Sequence, residues 1–172
     1  MKNLFSRLRI KKPVINVDME QIKVIPKGNV INITGLYPCF GVVLYNSNEK
    51  KACASHFPNP QKGTIDALMK KAVLELGNLN KVEAYCTGNA PLDDLNNLSS
   101  DYTQKTIRDR EFVLSKLREY GLNASNIHFK WIPKMGFNAS LKFDVDSGEN
   151  EYIFYQNNLK IISKGNLKEV SN

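Results

Sequence analysis

Cysteine and histidine are scarce: 172 residues carry three of the first and two of the second. Cys39, Cys53 and Cys86 lie far apart with no CxxC pair. Neither a zinc-ligand pattern nor a disulfide framework can be built on them, and reduced thiols are expected. Long apolar runs are missing as well. No stretch approaches the roughly 18 residues of a membrane-spanning helix. The start, MKNLFSRLRIKK, lacks the apolar core of a secretory signal. No internal repeat, low-complexity tract or linker interrupts the chain. These absences set the expectation of a soluble protein in the cytosol of the producing cell, with no transmembrane segment.

Acidic residues are short at one end only. The formal charge is +7, yet residues 1–30 hold seven Lys or Arg against two acids, and the rest hold seventeen against fifteen. The basicity therefore belongs to an arm rather than to the domain, which argues against a nucleic-acid partner. Five bases and no acid fall in residues 1–12, interleaved with Leu4, Phe5, Leu8 and Ile10. Such an arm suits an acidic partner, a membrane surface or a delivery signal, or is simply a solvated terminus.

With 42% apolar and 24% charged residues the composition is globular. The length fits one domain with a sizeable core. The expected organisation is a basic arm over 1–19, one domain over 20–165 and a tail over 166–172. Strands are expected at 22–26, 30–34, 40–46, 50–56, 81–87, 126–131, 138–145, 151–155 and 159–163. Residues 92–102, rich in Asp, Asn and Ser, read as a loop.

Two helices are expected. The first spans 64–76, with Ile65, Leu68, Met69, Ala72, Val73 and Leu76 on one face. The second spans 104–120, with Ile107, Val113, Leu114 and Leu117 inward and its Arg108–Glu111 charges solvated. His128 falls on the face of its strand opposite Ile127, Phe129 and Trp131, an exposed position. The class is α+β.

The chain is organised around INITGLYPCFGVVLYNSNEKKACASHFPNP, residues 31–60. Cys39 closes a Gly-Leu-Tyr-Pro loop where one strand begins, and His56 ends the next strand. A turn at Asn46-Ser47-Asn48 folds the two strands together, so Cys39 and His56, seventeen positions apart, can meet as a thiol–imidazole pair. Cys53, three residues before His56, points to the opposite face. Cys53 and Cys86 read as packing residues. Cys39 as a small hydrophobe and His56 as a surface residue are the plainer alternatives.

The order of these pieces resembles a known family. A strand ending in Thr34, a Gly-containing loop, Cys39, an apolar strand, and His56-Phe57 followed by Pro58 is similar to the bacterial chemoreceptor glutamine deamidases, CheD. IKVIPKGN at 22–29, KVEAYCTGNA at 81–90, RDREFVLSKLREYGL at 108–122 and LKFDVDSGENEYIF at 141–154 resemble further pieces of that family in the same order. The resemblance covers about residues 20 to 156. It departs from the family pattern at Pro38, at Asn89 in what is a Gly-Gly-Ala turn, at 131–135, and where His56-Phe57 runs straight into Pro58.

The resemblance implies a sandwich of mixed sheets flanked by two main helices, a fold shared with deamidating toxins of the cytotoxic necrotizing factor type. It also implies a cysteine amidohydrolase that converts protein glutamine to glutamate. Cys39 would be the nucleophile, His56 the general acid and base with its imidazolium favouring the thiolate, and Thr34 the residue that orients His56. No cofactor and no metal is implied. The substrate would be a protein with an accessible glutamine: a chemoreceptor in chemotaxis or, for a chain secreted as an effector, a host protein. A non-catalytic module of the same fold, docking a regulatory protein partner, is the alternative from a different class.

Overall fold

The computed structural model describes residues 12–92, 100–156 and 161–170; residues 1–11, most of the loop read at 92–102 and the start of the last expected strand lie outside the described residues. Two five-stranded sheets form the scaffold. In the first, β1 (Val14–Asn16) runs parallel to β3 (Val30–Ile33). The sheet continues antiparallel through β8 (Phe137–Asp144), β9 (Asn150–Gln156) and β10 (Ile161–Gly165). In the second, β2 (Ile22–Pro26), β5 (Lys51–Phe57), β4 (Phe40–Asn46) and β6 (Val82–Gly88) are antiparallel neighbours. There β7 (Ile127–Trp131) adds in parallel to β6. The strand β1 lies within the stretch read as arm.

Alternation along the second sheet creates two cores. Val43 and Tyr45 of β4, Ala52 and Ala54 of β5 and Tyr85 of β6 pack against Ile31, Leu141, Phe143 and Phe154 of the first sheet. Phe143 is the rivet between the layers: its ring centroid lies 4.9 Å from that of Tyr45 and 4.8 Å from that of Tyr85. The intervening residues Phe40, Val42, Leu44, Cys53, Ala84 and Cys86 face the helices.

The helix α1 (Thr64–Leu76) buries Ile65, Leu68, Met69, Ala72 and Leu76 against that face, as its periodicity requires, while Val73 is left half-exposed at its edge. The helix α2 (Asp101–Glu119) begins three residues before its expected start, with Asp101 favourably placed in the first turn. Its inward face is Thr103, Thr106, Asp109, Val113 and Leu117. Two of the charges expected to be solvated are therefore drawn in. Asp109 is 3% exposed and accepts from Gln61 Nε2 at 2.9 Å and from Lys105. Arg110 donates to the carbonyls of Asn89 at 2.6 Å and Ile132 at 2.8 Å.

The stretch read as a tail holds a short helix, α3 (Leu167–Val170), whose Leu167 is buried between the sheets and donates its N–H to Asn150 Oδ1 at 2.7 Å. This helix packs beside β7, and the expected exposure of His128 fails for that reason: the residue is 9% exposed, with its ring 5.1 Å from that of Tyr85. Lys168 of α3 reaches Glu83 at 3.0 Å, and Glu83 also accepts from Tyr85 Oη at 2.7 Å. Among the described residues, no helix is long and apolar enough to cross a membrane.

Candidate active site

The β4–β5 ladder sets the geometry. Phe40 pairs with Phe57 and Gly41 with His56. Cys39 is one step before Phe40, so alternation puts it on the face of Gly41, the face that looks toward the first sheet, where its side chain joins the core of buried apolar residues. His56 shares that face by the same parity. Cys39, one residue before β4, and His56 therefore sit at diagonal positions, a spacing of about 7–8 Å for such neighbours, and neither ring nitrogen of His56 has a hydrogen-bond partner, Cys39 included. Cys53 is on the opposite face, buried under the helices.

The backbone around Cys39 is held from two sides. In the loop before it, the N–H of Leu36 donates to the carbonyl of Ala139 at 3.2 Å, and the Tyr37–Pro38 peptide is cis. On the other side Asn89 donates its N–H to the carbonyl of Cys39 at 2.7 Å. Gly88 makes that approach possible, because a Cβ there would collide with the Cys39 carbonyl and the residue sits at φ +104°. The buried side chain of Leu36 occupies the space that Gly41 leaves open: a Cβ at Gly41 would lie 2.8 Å from Leu36 Cδ1. An apolar cap thus covers the row that His56 shares with Gly41.

His56 is 5% exposed, and both ring nitrogens are buried without a hydrogen-bond partner. Its backbone is clasped by the strap between β1 and β2. Glu20 donates its N–H to the His56 carbonyl at 2.7 Å, and the His56 N–H donates to the Gln21 carbonyl at 3.4 Å. Above the ring opens a cleft of about 470 Å³, with Val17, Asp18 and Met19 of the strap on one wall and Asn32, Thr34 and Gly35 on the other. Thr34 is exposed and shares this cleft with His56. Cys39, at 3% exposure, is not among the residues that line this cleft.

Burial dominates the electrostatics. It pushes the Cys39 thiol up from its ordinary value and the His56 imidazole down. The Val17 backbone, which faces the ring outside hydrogen-bond geometry, and the Asp18 carboxylate partly offset the second effect. Both shifts favour the uncharged forms, a thiol at Cys39 and a neutral imidazole at His56. The ion pair that the resemblance implies would form against this desolvation. Cys53 and Cys86 are less acidic still, pushed up to about 11 and about 12.

No family model matches the chain, and no curated protein matches it. Six solved chains do. One is the hypothetical protein YfiH of Bacillus licheniformis, at a TM-score of 0.44 and 14% identity, aligned over 60% of this chain and 47% of that one. The chain spans about half the length of that protein.

Sequence reasoning missed three residues around the site. Asp18 was assigned to the arm, Asn89 was read as a departure from a small-residue turn, and Arg110 was read as a solvated charge. Arg110 ties α2 to the turn after β6 and lies over the Trp131 ring at 5.9 Å. Its burial lowers the guanidinium to about 10. An arginine three residues before Val113, itself read as inward, was the available signal that it borders the packed face. Among the described residues, no group of three or more His, Cys, Asp or Glu side chains could hold a metal ion.

Proposed function

We propose that the protein is a cysteine-dependent amidohydrolase that converts glutamine side chains of a protein substrate to glutamate with release of ammonia. The observation that carries this reading is the placement of Cys39 and His56 on one face of the β4–β5 ladder, with both imidazole nitrogens unpartnered below an open cleft. The resemblance to the CheD deamidases supports the choice of substrate.

The neutral pair suits general-base chemistry. His56 takes the proton of Cys39 as sulfur attacks the carboxamide carbon, and a backbone N–H at or beside Cys39 receives the developing oxyanion. The imidazolium returns that proton to the nitrogen, and ammonia leaves a thioester. Water, deprotonated by His56, cleaves the thioester to glutamate and restores the thiol. Thr34, on the cleft wall, orients the ring or the water. The chemistry calls for no cofactor. The substrate is a chemoreceptor glutamine or, for a secreted effector, a glutamine of a host protein. The changes at Pro38, Asn89 and 131–135 favour a specialised target.

Ammonia release from an unfolded glutamine-rich protein such as β-casein, and from a chemoreceptor cytoplasmic fragment, tests the reading. Wild type releases ammonia from at least one of them with the corresponding amide-to-acid mass change, and Cys39→Ala releases none. Activity retained in Cys39→Ala sinks the assignment.

A second reading is favoured by one observation, the 3% exposure of Cys39. A thiol so enclosed suits a binding module that keeps the fold and docks a partner protein. Partner capture indifferent to Cys39→Ser, with no ammonia from either substrate, would establish it.

A further inference from the structure

The cleft above His56 is lined by one carboxylate, that of Asp18. It belongs to the strap that is bonded to the backbone of His56 itself, through Glu20 N–H to the His56 carbonyl and His56 N–H to the Gln21 carbonyl. Ser55 Oγ adds a third tie to the same Gln21 carbonyl at 3.0 Å. Asp18 is fixed within the strap by its own main chain: its N–H donates to Gln21 Oε1 and its carbonyl accepts from the Gln21 N–H, each at 3.1 Å. The carboxylate and the imidazole are thus carried on backbone segments that move together. Among the described residues, no hydrogen bond or ion pair engages the Asp18 carboxylate. Asp18 is exposed, and both His56 ring nitrogens are buried without a hydrogen-bond partner, the Val17 backbone facing the ring outside hydrogen-bond geometry. A buried donor left unpaired is costly, and a carboxylate is the strongest acceptor a side chain offers.

We propose that Asp18 is the positioning residue of His56. Its carboxylate accepts the imidazole N–H that faces the cleft, which fixes the tautomer leaving the other nitrogen free for the Cys39 proton, and it stabilises the imidazolium formed when that proton moves. This rests on the reading of Cys39 and His56 as a catalytic pair. The resemblance gives the orienting role to Thr34, which lines the same cleft. A hydroxyl can orient a ring, but it cannot offset the positive charge that burial penalises at this site. Asp18 can, and its charge already opposes the effect of burial on His56.

The chain has only two histidines, so the Cε1 protons of His56 and His128 can be titrated individually by NMR in the whole protein. In Asp18→Asn the His56 midpoint moves down, because a stabilising negative charge is lost. It returns in Asp18→Glu and stays in place in Thr34→Ala, while His128 is unmoved throughout. Alkylation of Cys39 by iodoacetamide at neutral pH slows about tenfold in Asp18→Asn and recovers in Asp18→Glu, the scale expected when a reacting group loses its orientation. An unchanged His56 midpoint in Asp18→Asn, or a midpoint that follows Thr34 instead, overturns the proposal. The enzymatic reading fails separately. If Cys39 alkylation is indifferent to His56→Ala while the His56 midpoint still follows Asp18, the Asp18–His56 pairing stands and the thiol is not its target.

Discussion

The N–H of Asn89 donates to the carbonyl of Cys39 at 2.7 Å, so the turn that ends β6 fixes the backbone bearing the thiol. Arg110 holds the Asn89 carbonyl in its turn. A contact made by the second helix is thereby passed through two hydrogen bonds to the start of β4.

Gly88→Ala is expected to cost about 2–4 kcal/mol, since the added methyl meets the Cys39 carbonyl and the positive φ adds strain. Urea unfolding measures the loss. Cys39 alkylation in the folded protein should rise at the same time, because relief of the clash displaces the loop that encloses the thiol.

Arg110→Met keeps the apolar stem but leaves the carbonyls of Asn89 and Ile132 without their charged donor. Hydrogen bonds to charged groups contribute about 1.5–3 kcal/mol each, and a total loss of about 3 kcal/mol is expected, seen as a lower melting temperature. Arg110→Lys should fall between the two, because one ammonium cannot reproduce the planar fork.

Leu36→Ala opens the cap over Gly41. A buried leucine truncated in this way costs about 2–5 kcal/mol, depending on how far the site collapses. Water admitted to the row of His56 removes part of its desolvation, so the His56 titration midpoint should move up in the variant, an outcome read by NMR.

Acid should destabilise the fold before any carboxylate is protonated. Burial holds both His56 and His128 below the ordinary value of 6.5. Each is neutral in the folded and unfolded chain above that pH, where its full contribution is present. As pH falls below 6.5 the unfolded chain takes up protons first, and stability declines. Urea midpoints measured between pH 7.5 and 5 should fall, and His128→Gln, which leaves one buried imidazole, should flatten the slope.

The helix α1 and strands β2, β4 and β6 were legible because each is written as an uninterrupted apolar period bounded by Gly, Pro or Asn. That Cys39 and His56 lie at the same end of the hairpin followed once its turn was recognised. What was not legible depended on contacts far along the chain. Nothing local announces that Leu167 lies between the sheets, and so nothing announces that the helix carrying it covers His128. Val14–Asn16 is too short and too close to a basic run to show its pairing with β3, and with it Asp18 was lost to the arm. The electrostatics of the pair were unreadable for the same reason: burial of the thiol and imidazole is a property of two sheets meeting.

The hairpin itself constrains how this chain can change. His56 and Cys39 share a face because seven residues, Phe40–Asn46, pair one for one with seven, Lys51–Phe57. A single residue gained within either strand would turn the thiol or the imidazole toward the helices and separate them, whereas the loop at 47–50 can grow or shrink without touching the pairing. Length variation among descendants that keep this chemistry should therefore be confined to the hairpin tip, and the interval between the two residues is a weaker signature than the evenness of the ladder on either side of it.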